Sequence, residues 1–295
     1  MLRRDFEETL RVLQVNFGLT GALRNDGVLS VAAGATVQFT STSGGGGYIA
    51  SGSVQLAPTA TFAICQAMLN FTSSYAELPQ LSIPSGANCM TSSSVLTSTA
   101  RDFVLNITQG AIASLWLTLG TGADRGGSVL LDRASAPNGA RLSVLKGWTL
   151  TVPPGSSFTT ASSSQFRVDA NALVGGLFRN LGALTLGGPA LVMDNLQFIN
   201  NGSISVLANR FTVQNPAFLH SGTILLSGVN AVLSLYGYVT GFGHTTTVTR
   251  NNAFTGSGQV ALCAANLAFA SGVTVATFAN LYSALPLPAR WAGLT

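Results

Sequence analysis

The chain has 295 residues, 47% of them hydrophobic and only 8% charged, with 33 glycines. Ordinary soluble proteins are about a quarter charged, so most of this surface must be Ser, Thr, Asn, Gln and backbone, which suits strand-rich repeats better than helical bundles. The net charge of +4 rests on 14 basic against 10 acidic residues; the basic ones are thinly spread, clustering only at Arg3 and Arg4, which argues against a nucleic-acid binder that must displace counterions from phosphate.

In chain order, the first segment reads as a helix. Phe6, Leu10 and Leu13 are spaced for one face, and Asp5, Glu7 and Glu8 fall in the opening turns. A helix over about residues 3–14 is expected, within a capping segment 1–19 that covers the raw end of the first repeat unit. An interface helix for a partner is the alternative. Asp5, Glu7, Glu8 and Arg11 interrupt any apolar core, so the segment does not read as a secretory signal. No apolar run anywhere reaches the ~18 residues of a membrane helix.

Residues 20–295 are expected to form one repetitive body. Gly27, followed by Leu29 and Val31, opens a weak unit; Gly52, preceded by Tyr48 and followed by Val54 and Leu56, opens another. Between them Gly44–Gly47 lacks the Lys-Ser/Thr of a phosphate loop and reads as a connection. A less regular stretch near 65–100 is expected to be a lateral insertion. Cys65 and Cys89 flank it and are close enough to bridge; three buried thiols, with Cys263, is the plainer alternative. "DFVLNIT", "ASLWLTL" and "GSVLLDR" then read as strands, and the repeat resumes at "ARLSV" and "WTLTV". The sequons at Asn70, Asn106 and Asn201 are no more numerous than chance gives.

From residue 178 the same line is written three times, 20 residues apart. Phe178, Phe198 and Phe218 each stand four places before Gly182, Gly202 and Gly222. Asn180, Asn200 and His220 stand two places before. Leu184 and Leu186, Ile204 and Val206, and Ile224 and Leu226 follow at two and four places. Alternation at period two marks strands with one buried face, and glycine serves corners that need positive φ or a close backbone approach. A ~20-residue period belongs to solenoids, whose units bury their apolar face only by stacking. Parallel stacking at about 4.8 Å places like over like, so an inward phenylalanine stack and an Asn180–Asn200 amide ladder are expected. His220 extends that ladder as a corner residue rather than a catalytic one. A further copy is expected at Gly258 with Phe254 before it, after an insertion of 16 residues that holds a solvated His244.

The Phe-x-Asn-x-Gly-x-Leu-x-Val line resembles coils of right-handed parallel β-helix proteins: filamentous adhesins, autotransporter passengers and the wider pectin-lyase-like group. The resemblance covers residues 178–270 well and the remainder loosely. It implies an all-β parallel solenoid, and among proteins of that shape it points to adhesins, virus fibres, filament subunits and polysaccharide-cleaving enzymes.

The chemical signatures of an enzyme are thin. A glycosidase needs two carboxylates about 5–9.5 Å apart; the best pairs are Asp124 with Asp132 and Asp169 with Asp194. A lyase needs a cation and a base; Asp124-Arg125 and Asp132-Arg133 read more simply as ion pairs at corners. No Gly-x-Ser-x-Gly elbow occurs, and neither histidine has a placed acidic partner. Thr245, Thr247 and Thr249 share a strand face, one rank where an ice-binding surface needs many. Trp116, Trp148 and Trp291 are the residues to watch for sugar stacking; filling core ends is the alternative. No catalytic, cofactor-binding or metal-binding set is assigned. The expectation is a non-enzymatic structural or adhesive solenoid of a cell surface, extracellular filament or virion. It would pack against itself or neighbouring subunits, with carbohydrate as a second partner class. A carbohydrate-active β-helix enzyme is the alternative.

Overall fold

The structure, a computed structural model, describes residues 2–3, 14–19, 21–41, 47–57, 59–65, 67–72, 75–77, 81–83, 94–100, 102–108, 111–112, 117–121, 126–136, 140–161, 165–170, 175–193, 196–207, 209–214, 217–236, 244–250, 253–263 and 265–273. Among these there is no helix. The chain winds as an all-β parallel solenoid in which each coil lays one strand on each of three faces in turn. One coil shows the plan: Arg210–Gln214 lies on the first face, Ala217–His220 on the second and Thr223–Leu226 on the third. The strands join like to like along the axis into sheets of 12, 9 and 11 strands, and every named pairing is parallel. Val28–Val31 and Ser53–Leu56 pair separately as a two-stranded sheet at the second-face position in their coils.

The alternation read from the sequence is what places the core. In Arg210–Gln214, Phe211 and Val213 are buried while Arg210 is exposed. In Ser203–Val206, Ile204 and Val206 are fully buried and Ser203 faces water. The inward residues form one continuous apolar column from Leu29 to Val260, so each coil buries its face against its neighbours and not by itself.

The expected aromatic stack is present. Phe178 and Phe198 lie 5.0 Å apart with ring planes 8° from parallel; Phe198 and Phe218 lie 4.6 Å apart at 7°. Each such pair adds about 0.5–1.5 kcal/mol beyond the area it buries. The 20-residue period holds through these coils, but elsewhere a coil is longer: Val168 pairs with Val192, Leu150 with Phe178, and Ile224 with Phe254.

Three copies of the glycine line fall on other corners than expected. Gly182, Gly202 and Gly222 turn the chain from the second face to the third. Gly27 and Gly52 turn it from the first face to the second, since Ala22–Asn25 and Gly47–Ala50 are first-face strands. Gly258 turns it from the third face to the first, and Phe254 lies over Ile224 rather than over Phe218. The 16-residue insertion expected before it is therefore a change of frame: the coil lengthens, His220 pairing with Val248. The corners share one hydrogen-bond form. Ser221 and Gly222 amides both donate to the Asn200 carbonyl, Ser51 and Gly52 to that of Asn25, and Ser257 and Gly258 to that of Leu226. This draws the glycine so near the coil below that a Cβ on Gly202 would collide with the Gly182 carbonyl, and one on Gly52 with that of Gly27. Close approach, not positive φ, demands glycine here.

Within the stretch read as a lateral insertion near 65–100, Met68–Phe71 and Ser94–Ser98 lie on the first face, Tyr75–Glu77 on the second and Leu81–Ile83 on the third; residues 84–93 lie outside the described residues. So do residues 4–13, where the capping helix is expected. The flanking Leu2–Arg3 and Gln14–Leu19 pair as parallel strands with Ala22–Asn25 and Thr36–Ser41.

A substitution pair separates corner geometry from glycine flexibility. Gly21 is exposed and a Cβ there meets nothing within 4 Å. Gly202→Ala is expected to lose about 1–3 kcal/mol through overpacking, and Gly21→Ala less than about 0.5 kcal/mol, measured as shifts in the urea midpoint.

Candidate functional site

The charged residues of the strands sit on two faces only. Among the described residues, the first-face strands carry Arg3, Arg24, Arg141, Arg167, Asp169 and Arg210, and the second-face strands Glu77, Asp132 and Arg179. None of the third-face strands, from Gln14–Leu19 to Phe254–Gly256, contains Asp, Glu, Lys, Arg or His. One outward column on this face runs in register through Ser135, Thr159, Thr185, Ser205, Leu225 and Thr255. A second column, one alternation away, holds Ser157, Ala183, Ser203 and Thr223. Eleven strands at about 4.8 Å make a strip on the order of 50 Å long. Leu207, Leu225 and Val229 add exposed apolar surface near one end of it, Val229 being 72% exposed.

On the first face, Asp169 lies at the centre of a charge cluster that the sequence pattern did not reveal. Its side chain is 2% exposed, and those of Arg141 and Arg167 are 28% and 30% exposed. Arg141 Nε donates to Asp169 Oδ2 at 2.9 Å, Arg167 Nε donates to the same oxygen at 2.7 Å, and Ser143 Oγ donates to Oδ1 at 2.7 Å. Burial alone would raise this carboxyl. The Ser143 hydrogen bond and the two guanidinium charges outweigh it and hold the group below its ordinary range. Arg141 and Arg167 are register partners, as are Ser143 and Asp169. The readable signal was Arg-x-Ser in "ARLSV" over Arg-x-Asp in "FRVD", at one offset in paired strands.

Such a carboxylate is ionised and saturated, unlike a general acid, whose pKa must be raised. Its expected catalytic partner, Asp194, lies outside the described residues. Asp132 is likewise engaged. It accepts from Ser156 Oγ at 2.6 Å and from Arg133 Nη2 at 3.4 Å, at a corner where Arg133 takes a φ of 51°. The Asp132-Arg133 corner ion pair is thus present; Asp124 and Arg125 lie outside the described residues. Asp132 ends a second-face strand and Asp169 a first-face one, so the structure does not bring them together.

His220 is fully buried. Asn180 Nδ2 donates to Asn200 Oδ1 at 2.7 Å, and Asn200 Nδ2 and His220 Nδ1 are 3.0 Å apart. The amide ladder and its histidine step are where the spacing put them. His244 opens the strand His244–Val248, but its side chain is outside the described residues, as are Trp116 and Trp291. Trp148 is a core residue, 1% exposed and edge-on to Phe103 at 6.1 Å. Thr245 and Thr247 face outward on the second face, while Thr249 lies past the strand end with its Oγ1 on the His220 carbonyl. Cys65 is buried and disulfide-bonded, so the alternative of three free thiols does not hold; Cys89, the partner that the sequence allowed, is outside the described residues.

Among the described residues no group of three or more His, Cys, Asp or Glu is placed to hold a metal ion, and no helix is long and apolar enough to cross a membrane. No protein-family model, curated protein or solved structure matches the chain.

Asp169→Asn is expected to leave two adjacent guanidiniums without their counter-charge. A loss of about 2–4 kcal/mol at pH 7 should follow, toward the low end because the arginines are partly solvated, read from urea unfolding. Because the folded carboxyl is held low, its contribution is complete above the ordinary carboxylate range and is lost as the pH falls from there through the lower value of the folded group. The variant should therefore approach the parent protein in stability at the acid end.

Proposed function

We propose that this protein is a non-enzymatic structural or adhesive solenoid that works by broad surface contact, packing against copies of itself or neighbouring subunits. The observation that supports this most is the charge-free third face. A strip without ionisable groups has no charge to desolvate on contact, which is the largest cost of burying a protein surface. Its Ser and Thr hydroxyls bring short, stiff side chains with little rotamer freedom to lose. The exposed Leu207, Leu225 and Val229 supply apolar area beside it.

An extracellular, cell-surface or virion setting goes with this reading. A disulfide at Cys65 is at home in an oxidising compartment, and a surface this poor in charge suits an ordered array better than a freely diffusing protein. The right-handed adhesin-like and pectin-lyase-like resemblance belongs to the same proposal. The competing polysaccharide-cleaving function draws no support from Asp132 or Asp169, each already bound by its neighbours.

Thr185→Arg with Ser205→Arg places two cations on adjacent strands of the third face. Light scattering and negative-stain microscopy at tens of micromolar should show laterally associated rods for the parent chain. The variant should be single rods with unchanged circular dichroism. A parent chain that stays single, or that releases reducing ends or unsaturated uronates from polysaccharides, would overturn the proposal.

A further inference from the structure

The corner between the second and third faces is lined inside by a column of three polar side chains, Asn180, Asn200 and His220, none exposed. Its hydrogen bonds run one way. Asn180 Nδ2 donates both to Asn200 Oδ1 and, at 2.9 Å, to the Ser203 carbonyl. That fixes the Asn200 amide, whose amino group then faces His220 Nδ1 and can only donate to it. His220 Nε2 lies 3.1 Å from the Ala253 carbonyl, which can only accept. The ring is therefore neutral, with its proton on Nε2. It is held between Phe218, 5.6 Å away at 20°, and Phe254, 4.9 Å away at 56°.

Through Ala253 and Phe254 this ring joins the coil of Ala217–His220 to the next one along the axis. A second proton, on Nδ1, would set donor against donor at Asn200. The Asn200 carbonyl beside the ring already accepts from the Ser221 and Gly222 amides, so relief within the side-chain column means turning both amides over. Asn200 Nδ2 would then donate to Asn180 Oδ1, which has no partner now, but the bond from Asn180 to the Ser203 carbonyl would be lost. No described carboxylate compensates the charge. The strands Gln197–Asn200, Thr223–Leu226 and Phe254–Gly256 carry no ionisable group, His244 stands at the far end of the strand above, and the nearby charge is Arg250, of the same sign.

We propose that the Asn180–Asn200–His220 column is an acid-sensitive latch: a proton on His220 breaks its polarity and releases the coils beyond residue 220 from the rest of the solenoid.

Burial pushes His220 down from 6.5 to about 4, with Arg250 adding to the shift and the Ala253 and Asn200 carbonyls opposing it. An opened coil returns the ring to its ordinary value. The latch is therefore fully closed above pH 6.5 and weakens as the pH falls toward 4. By this linkage the opening equilibrium rises roughly 20-fold between pH 7 and pH 5. Asp169 titrates lower and on another face, so it does not contribute in this window.

Hydrogen exchange of the full chain, corrected for intrinsic rates and read by mass spectrometry at pH 7 and pH 5, tests the latch. Protection should fall roughly 20-fold at pH 5 in residues 217–220, 244–250 and 253–263, with little change in residues 140–160. His220→Asn continues the column with an amide that does not titrate, and should remove the pH dependence. His244→Gln, which alters the only other histidine, should keep it. Uniform loss of protection, no loss, or the same dependence in His220→Asn overturns the proposal. Should His220→Asn not fold, nitrogen chemical shifts of the His244→Gln protein decide: an Nε2–H tautomer that persists to pH 5 is required, and a ring titrating near 6.5 without loss of protection overturns it.

Discussion

Everything in this molecule depends on one constraint: parallel coils in register put each residue directly over its counterpart, about 4.8 Å away. A side chain is retained only if it tolerates its own kind as a neighbour. Phenylalanine does, face to face, as at Phe178, Phe198 and Phe218. Asparagine does, since an amide can donate upward and accept from below. Glycine does where backbones nearly touch. A charge does not, because like charges stacked at this distance repel. The low charge of the whole chain, 8%, is the composition that such stacking selects.

The exception at Arg141 and Arg167 obeys the same rule. These two are stacked in register, and Asp169 lies against both, its carboxylate oxygen shared between them. The cluster is then a device for tolerating a stacked like-charge pair, and its burial follows from the need to make the opposite charge effective. Arg3 and Arg24 are a second register pair of arginines, and there Asp26 accepts from Arg24 Nε; Arg133 and Asp132 pair as chain neighbours at a corner. With charge kept to two faces and the corners, the third face is left as a continuous hydroxyl and apolar strip. The composition that makes the fold possible thus also leaves the strands of one face without charge.

The fold was legible where three copies of one line, 20 residues apart, fixed the frame unaided. The phenylalanine stack, the amide ladder and the buried corner role of His220 could all be placed before any coordinates. The frame failed at Gly27, Gly52 and Gly258, because the same pair of amides closing on one carbonyl recurs at all three corners and local sequence does not say which corner is being turned. The strands between residues 68 and 98 were obscured by their short lengths and by the prolines of the intervening sequence, Pro79 and Pro84. The Asp169 cluster was missed because two of its three partners, Ser143 and Arg141, lie 26 and 28 residues away, off the 20-residue period, and spacing matched Asp169 instead with Asp194. The uncharged face could not be seen at all without the register, since it is a property of every third strand.

The most direct test of in-register stacking is proton–proton contact among the phenylalanine rings, measured by nuclear Overhauser spectroscopy on ring-protonated phenylalanine in a deuterated chain. Stacked coils predict ring cross-peaks between Phe178 and Phe198 and between Phe198 and Phe218, with none directly between Phe178 and Phe218. Substituting Phe198→Leu should remove both. Absence of those cross-peaks in the parent chain, or a strong Phe178–Phe218 contact, would contradict the parallel solenoid on which the rest is built.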